Sequence, residues 1–239
     1  MFQTSYSIIY VWFSPSSIRV IPFLCPVKIA PSLLSADFGK LREDIEMMNE
    51  SEADRIHVDV MDGRFVPNIS FGFPVMNVLT KYARKPLDLH LMIVEPEKYA
   101  EAFVKAGAHY LSFHIEATDH AHRLLDQVRS YGAKPGIAIN PQTGIDWLPS
   151  LAGGFDFVNV MTVNPGFGGQ SFIRTMEEKL ERLNGYRLQY GFETEIDGGV
   201  TFDVLASLKS NLPDVAVAGA SVFSAADPKG EIARLTRSF

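Results

Sequence analysis

The chain has 239 residues, 46% of them hydrophobic and 21% charged, with a formal net charge of −6. Such a composition is ordinary for a soluble globular protein, and chains of about 200–250 residues commonly form one α/β barrel domain. The acidic balance argues against a broad nucleic-acid footprint, and the single cysteine, Cys25, excludes an intrachain disulfide and fits a reducing compartment.

The first 26 residues carry one charged side chain, Arg19, and two apolar clusters, Ile8–Phe13 and Ile18–Leu24, broken by Ser14, Pro15, Pro22 and Pro26. No run approaches the roughly 20 apolar residues of a membrane span, and the basic start and cleavage site of a signal peptide are not evident. Patterned sequence begins at Val27-Lys28, where an alternative GTG start would be translated internally as valine. We therefore expect residues 1–27 to be an extension ahead of a domain over 28–239, with 1–26 dispensable.

From Lys28 onward, apolar runs alternate with amphipathic stretches. Strands are expected near 28–33, 55–60, 87–92, 109–114, 134–139, 155–161, 193–196 and 214–218. Helices are expected near 38–50, 73–84, 96–106, 118–131, 143–151, 174–190, 201–210 and 228–237. Asp37, Pro96 and Thr201 supply helix start signals. Eight β-then-α units imply parallel strands with crossover helices, and a count of eight favours a closed (β/α)8 TIM barrel over an open sheet. Ser32, His57, Asp59, His90, His114, Met161, Asp197 and Gly219 all fall at or just past predicted strand ends. Barrels build their sites on that face.

His57 and Asp59 are two apart on a strand, so both point to one face, while Ile56, Val58 and Val60 point to the other. His90 ends the next strand between Leu89 and Leu91, and Asp197 precedes Gly198-Gly199. Two imidazoles and two carboxylates suit a divalent metal ion, Zn²⁺ first, with Fe²⁺, Mn²⁺ or Co²⁺ also served. A lone strand-end histidine is more often a hydrogen-bonded core residue; the four together carry the metal reading. His114 and Glu116 form a similar pair, read as lying behind the ligands or on the rim. Glycine-rich segments after the last three strands, 164–171, 198–199 and 219–221, contain no Lys or Arg. Backbone N–H groups there can cradle a phosphate, although such loops are also simple turns or a mobile lid.

In chain order, the blocks from Ile29 to Asp37, His57 to Gly63, Phe65 to Asn68, Leu89 to Met92, Val163 to Gln170 and Asp197 to Gly199 resemble the signature segments of the ribulose-phosphate 3-epimerase family. The resemblance covers essentially all of 28–239. It implies an epimerase inverting C3 of a ketose phosphate, D-ribulose 5-phosphate to D-xylulose 5-phosphate, in the cytoplasmic pentose phosphate pathway, and a homo-oligomer without nucleic-acid or membrane partners. It puts metal ligands at His57, Asp59, His90 and Asp197, and proton transfer at Asp59 and Asp197. Substrate contacts fall at Ser32, His90, Gly166, Phe167, Gly168, Gly169, Gly198, Gly199, Gly219 and Ala220. Two departures stand out: Ala220 replaces a common serine, with the hydroxyl moved to Ser221, and Arg174 replaces a common proline. Rival readings are an allulose 6-phosphate 3-epimerase, a sugar-phosphate decarboxylase and a non-catalytic phosphate-binding barrel. The decarboxylase would want a lysine where this chain has Met61.

Overall fold

The computed structural model describes residues 26–239, so the expectation for the N-terminal extension, and Cys25 with it, lies outside the described residues. Eight parallel strands form one sheet: β1 (Lys28–Pro31), β2 (Ile56–Met61), β3 (Leu87–Met92), β4 (Ala108–His114), β5 (Lys134–Ile139), β6 (Phe157–Met161), β7 (Glu193–Asp197) and β8 (Val215–Ala218). Their order is β1-β8-β7-β6-β5-β4-β3-β2. The two ends meet at a parallel bridge between Ser32 and His57, and the Asp54 N–H donates to Ile29 O at 2.9 Å below it. The barrel is thereby nearly closed, a (β/α)8 architecture.

Around it lie α1 (Leu41–Glu50), α2 (Phe73–Tyr82), α3 (Ala100–Lys105), α4 (Ala121–Tyr131), α5 (Leu148–Leu151), α6 (Met176–Tyr190), α7 (Phe202–Leu208), α8 (Ala220–Phe223) and α9 (Pro228–Ser238). None of these is long and apolar enough to cross a membrane. Strand alternation sorts side chains between two cores. Ile56, Val58, Leu89 and Leu91 face outward and pack in one apolar layer with Met48, Met76, Leu79 and Leu124 of the helices. Each such side chain contributes about 1.5–3 kcal/mol by burial. Inward positions of β2, β3, β4, β6 and β7 carry polar side chains: His57, Asp88, His90, Ser112, Asn159 and Glu195 are all buried, as is Arg55 just before β2.

Strand bounds fall within two residues of expectation. Two differences concern helices. The fifth shrinks from 143–151 to Leu148–Leu151, because the segment before it is a turn whose Asn140, Pro141 and Thr143 carbonyls accept from Lys179 Nζ at 3.2, 2.6 and 2.7 Å. A short helix, α8, is added after β8.

Candidate active site

Four inward side chains converge at the C-terminal end of the barrel. His57 and Asp59 come from β2, His90 from β3 and Asp197 from β7. In the β2–β3 register Asp59 lies beside His90. His57 Nε2 is 3.3 Å from Asp59 Oδ1 and 3.5 Å from Asp197 Oδ2; His90 Nδ1 is 3.2 and 3.3 Å from the same two oxygens. All four donor atoms lie within 4.8 Å of one another. Four donors at about 2.0–2.2 Å from one tetrahedral cation would stand about 3.3–3.6 Å apart. The four nitrogen–oxygen separations therefore fit a divalent ion in spacing, and the donor set fits it in chemistry. Both ring nitrogens of His57 are buried without a hydrogen-bond partner, because its carboxylate neighbours stand too far off or out of line.

Electrostatics point the same way. Burial opposes charge on both histidines, yet Asp59 and Asp197 outweigh it and raise His57 well above, and His90 above, the ordinary imidazole value. Burial likewise opposes ionisation of Asp59, but His57 and His90 hold its carboxyl far below the usual range. This is a cavity floor that favours positive charge.

Each member is steadied from behind. Ser32 Oγ donates to Asp59 Oδ2 at 2.7 Å, leaving Oδ1 for the cluster. The Asp197 carbonyl accepts from Thr162 N–H at 2.8 Å. Asp88 Oδ2 lies 3.5 Å from His57 Nδ1; against its burial, His57 and Arg55 hold its carboxyl at about 2. Beneath, Arg55 Nη1 lies 3.7 Å from Asp88 and 3.6 Å from Glu195, and its guanidinium stacks 3.7 Å over the Tyr110 ring. Burial and the Asp88 charge push Glu195 well above the carboxylate range. His90 Nε2 lies 2.9 Å from His114 Nε2, and His114 Nδ1 lies 3.1 Å from Glu116 Oε2. Burial drives His114 down to about 4; against burial, His114, Thr143 and the Asn140 N–H hold Glu116 at about 2.

Above the cluster opens a cavity of about 180 Å³. Nine of the ten expected substrate-contact residues line it: Ser32, Gly166, Phe167, Gly168, Gly169, Gly198, Gly199, Gly219 and Ala220. His90 does not; its ring is fully buried, turned to the cluster on one side and to His114 on the other. The 164–171 loop is folded on itself by Gln170 Nε2, which donates to Asn164 O (2.6 Å) and Phe167 O (2.8 Å). Asn68 Nδ2 ties it to the β2 loop through Gly166 O at 2.7 Å. Gly198 has φ +115°, and a Cβ there would meet Val163 at 2.3 Å, so no other residue fits this lip. Among the described residues, the N–H groups of Gly199, Ala220 and Ser221 make no backbone hydrogen bond. Together they form an anion-ready lip without a basic side chain.

Met61, Met92 and Met161, expected near the strand ends, wall the lower cavity and are nearly fully buried. Outside the expected substrate set are Ser35 and Ser221, which also line it; Ser221 Oγ is buried and unpaired. Only the displaced hydroxyl beside Ala220 hinted at Ser221. Of the remaining histidines, His109 accepts from Leu87 N–H at 3.2 Å, and His120 and His122 sit at the start of α4, away from the cavity.

The model of the Ribulose-phosphate 3 epimerase family matches residues 28–223. The ribulose-phosphate 3-epimerase of Synechocystis sp. is 44% identical over 220 residues, covering 89% of this chain and 94% of the relative. That of Bacillus subtilis is 40% identical over 215 residues, covering 89% and 99%. Among solved structures, KGPDC from Streptococcus mutans superposes with a TM-score of 0.66 at 15% identity, over 89% of this chain and 96% of that one, a likeness of fold alone.

Proposed function

The chain belongs to the ribulose-phosphate 3-epimerase family, and we propose from that premise that it interconverts D-ribulose 5-phosphate and D-xylulose 5-phosphate by two-base proton transfer at C3. The observation that carries this reading is the meeting of two carboxylates, from β2 and β7, on one cation-favouring cluster under a lip of backbone N–H groups. Inversion needs a proton removed from one face and another delivered to the opposite face. A single base tends to return the proton to its own side, so two groups are wanted.

Asp59 and Asp197 take those roles. Asp59 is held ionised in the free protein, the state a base requires. The Ser32 hydroxyl fixes its outer oxygen. Asp197, carried on β7 and backed by Thr162, stands across the cluster to serve the other face. Each such group is worth about 10²–10⁴-fold in rate. His57, Asp59, His90 and Asp197 would hold the cation, for which zinc is the best match to two nitrogens and two oxygens. When bound, it supplies Lewis-acid stabilisation of negative charge developing on substrate oxygen. Gly199, Ala220 and Ser221 offer N–H groups to the phosphate, and the three methionines keep the proton-transfer region dry. Met61 occupies the place where a decarboxylase of related architecture would need lysine, which favours epimerisation. A cytoplasmic, pentose phosphate role accompanies this reading.

The test is to incubate the cation-loaded protein with D-ribulose 5-phosphate in deuterated water. Deuterium should enter C3 as xylulose 5-phosphate forms. Absence of both exchange and product would remove the proposal. A higher kcat/KM for allulose 6-phosphate would transfer it to the six-carbon substrate.

A further inference from the structure

The geometry points to a positioning relay, Glu116 to His114 to His90, that locks His90 in the tautomer presenting its Nδ1 lone pair to the cation site and so sets how tightly the cation is held. This rests on reading His90 as a cation ligand. His90 Nδ1 faces the cluster, 3.2 Å from Asp59 and 3.3 Å from Asp197. Its other nitrogen, Nε2, is 2.9 Å from His114 Nε2. Two imidazole nitrogens at that distance share one proton, so one donates and the other accepts.

Glu116 decides which. Its Oε2 lies 3.1 Å from His114 Nδ1, and its Oε1 already accepts from Asn140 N–H at 2.9 Å and from the Thr143 hydroxyl. An ionised carboxylate only accepts, so the His114 proton sits on Nδ1. With that proton alone on the ring, His114 has a bare Nε2 as acceptor, and His90 donates its Nε2–H, leaving Nδ1 free. The alternative, a doubly protonated His114 donating to His90, would turn an N–H of His90 on Asp59 and deny the cation a ligand.

The relay is braced rather than loose. Lys179 of α6 clamps the turn that supplies Asn140 and Thr143, and the Phe65 ring packs on His114 with centroids 4.5 Å apart. Neither His114 nor Glu116 lines the cavity, so both act through His90 and not on substrate. Partners that orient a metal-bound histidine in this way typically alter metal affinity by about 10–100-fold.

The experiment uses the full chain with Co²⁺ as probe, its affinity measured by chelator competition and its coordination by visible absorption. His114→Leu should bind Co²⁺ about 10–100-fold more weakly. His114→Gln, whose amide oxygen still accepts from His90, should recover most of that loss, and Glu116→Gln should weaken binding less than His114→Leu. A purely structural role would lower the thermal midpoint of the cation-free variants and leave affinity unchanged. Nitrogen-15 NMR of the wild-type chain reads the tautomers without any variant: His114 should carry its proton on Nδ1 alone. Wild-type Co²⁺ affinity in His114→Leu, or a proton on His114 Nε2, overturns the relay while leaving the functional reading intact. Failure of the wild-type chain to bind Co²⁺ removes both.

Discussion

Asp59 is asked to do two things with two oxygens. Oδ1 faces the histidines and Oδ2 takes the Ser32 hydroxyl, so neither is free to rotate away. Replacing either of the two carboxylates proposed to move the proton, Asp59 or Asp197, with its amide keeps the shape and removes the acid–base group. Asp59→Asn and Asp197→Asn should each lower kcat for ribulose 5-phosphate by two or more orders of magnitude, roughly the worth of one positioned acid or base. Near-normal turnover in either would leave the two-base scheme without one of its members. His57, Asp59, His90 and Asp197 were legible in the sequence because strand periodicity puts i and i+2 on one face, and consecutive barrel strands share one rim. His114 was readable only as lying behind the ligands or on the rim. Its spacing to Glu116 shows a pair but not which imidazole nitrogen meets His90, and that follows only from the packing of β3 on β4.

At the level of elements, the strands were readable because outward apolar residues alternate with inward polar ones. The helical layer was less so. Ala220 to Phe223 is a single turn, too short for any 3.6-residue period to register, yet it forms one lip of the cavity. The 143–147 segment reads as helical by its pattern, but its Thr143 carbonyl is claimed by Lys179 Nζ and its Gly144 carbonyl by the Trp147 indole N–H. The loop between α1 and β2 also carries a role that spacing does not reveal: Asp54 Oδ2 accepts from the buried Ile29 N–H at 2.9 Å, where a neighbouring strand would ordinarily supply a carbonyl. Asp54→Ala leaves that donor unsatisfied and should cost about 1–3 kcal/mol of stability. Urea titration reads this as a lowered midpoint at constant slope; an unchanged midpoint would show that the side chain contributes nothing at this joint.

For the molecule as a whole, the family match begins at residue 28, and Val27 is buried with its N–H bonded to Phe239 O at 3.4 Å. We therefore propose that a chain truncated to methionine followed by Lys28 keeps its epimerase activity. Loss of turnover on that truncation would give residues 1–26 a role that the barrel does not require.

The barrel's seven laddered strand pairs leave one joint, between β1 and β2, held by a bridge and a few loop contacts. A wall of staves with one weak joint is a split hoop. Donors from β2 and β7 reach toward each other across the stretch of wall that contains the split. An ion seated between them is thus a clasp as well as a chemical tool. Stripping it with a chelator should speed amide hydrogen exchange first in β1 and β2 and only later in β4 and β5. Equal acceleration all round would mean that the hoop has no preferred place to spring open.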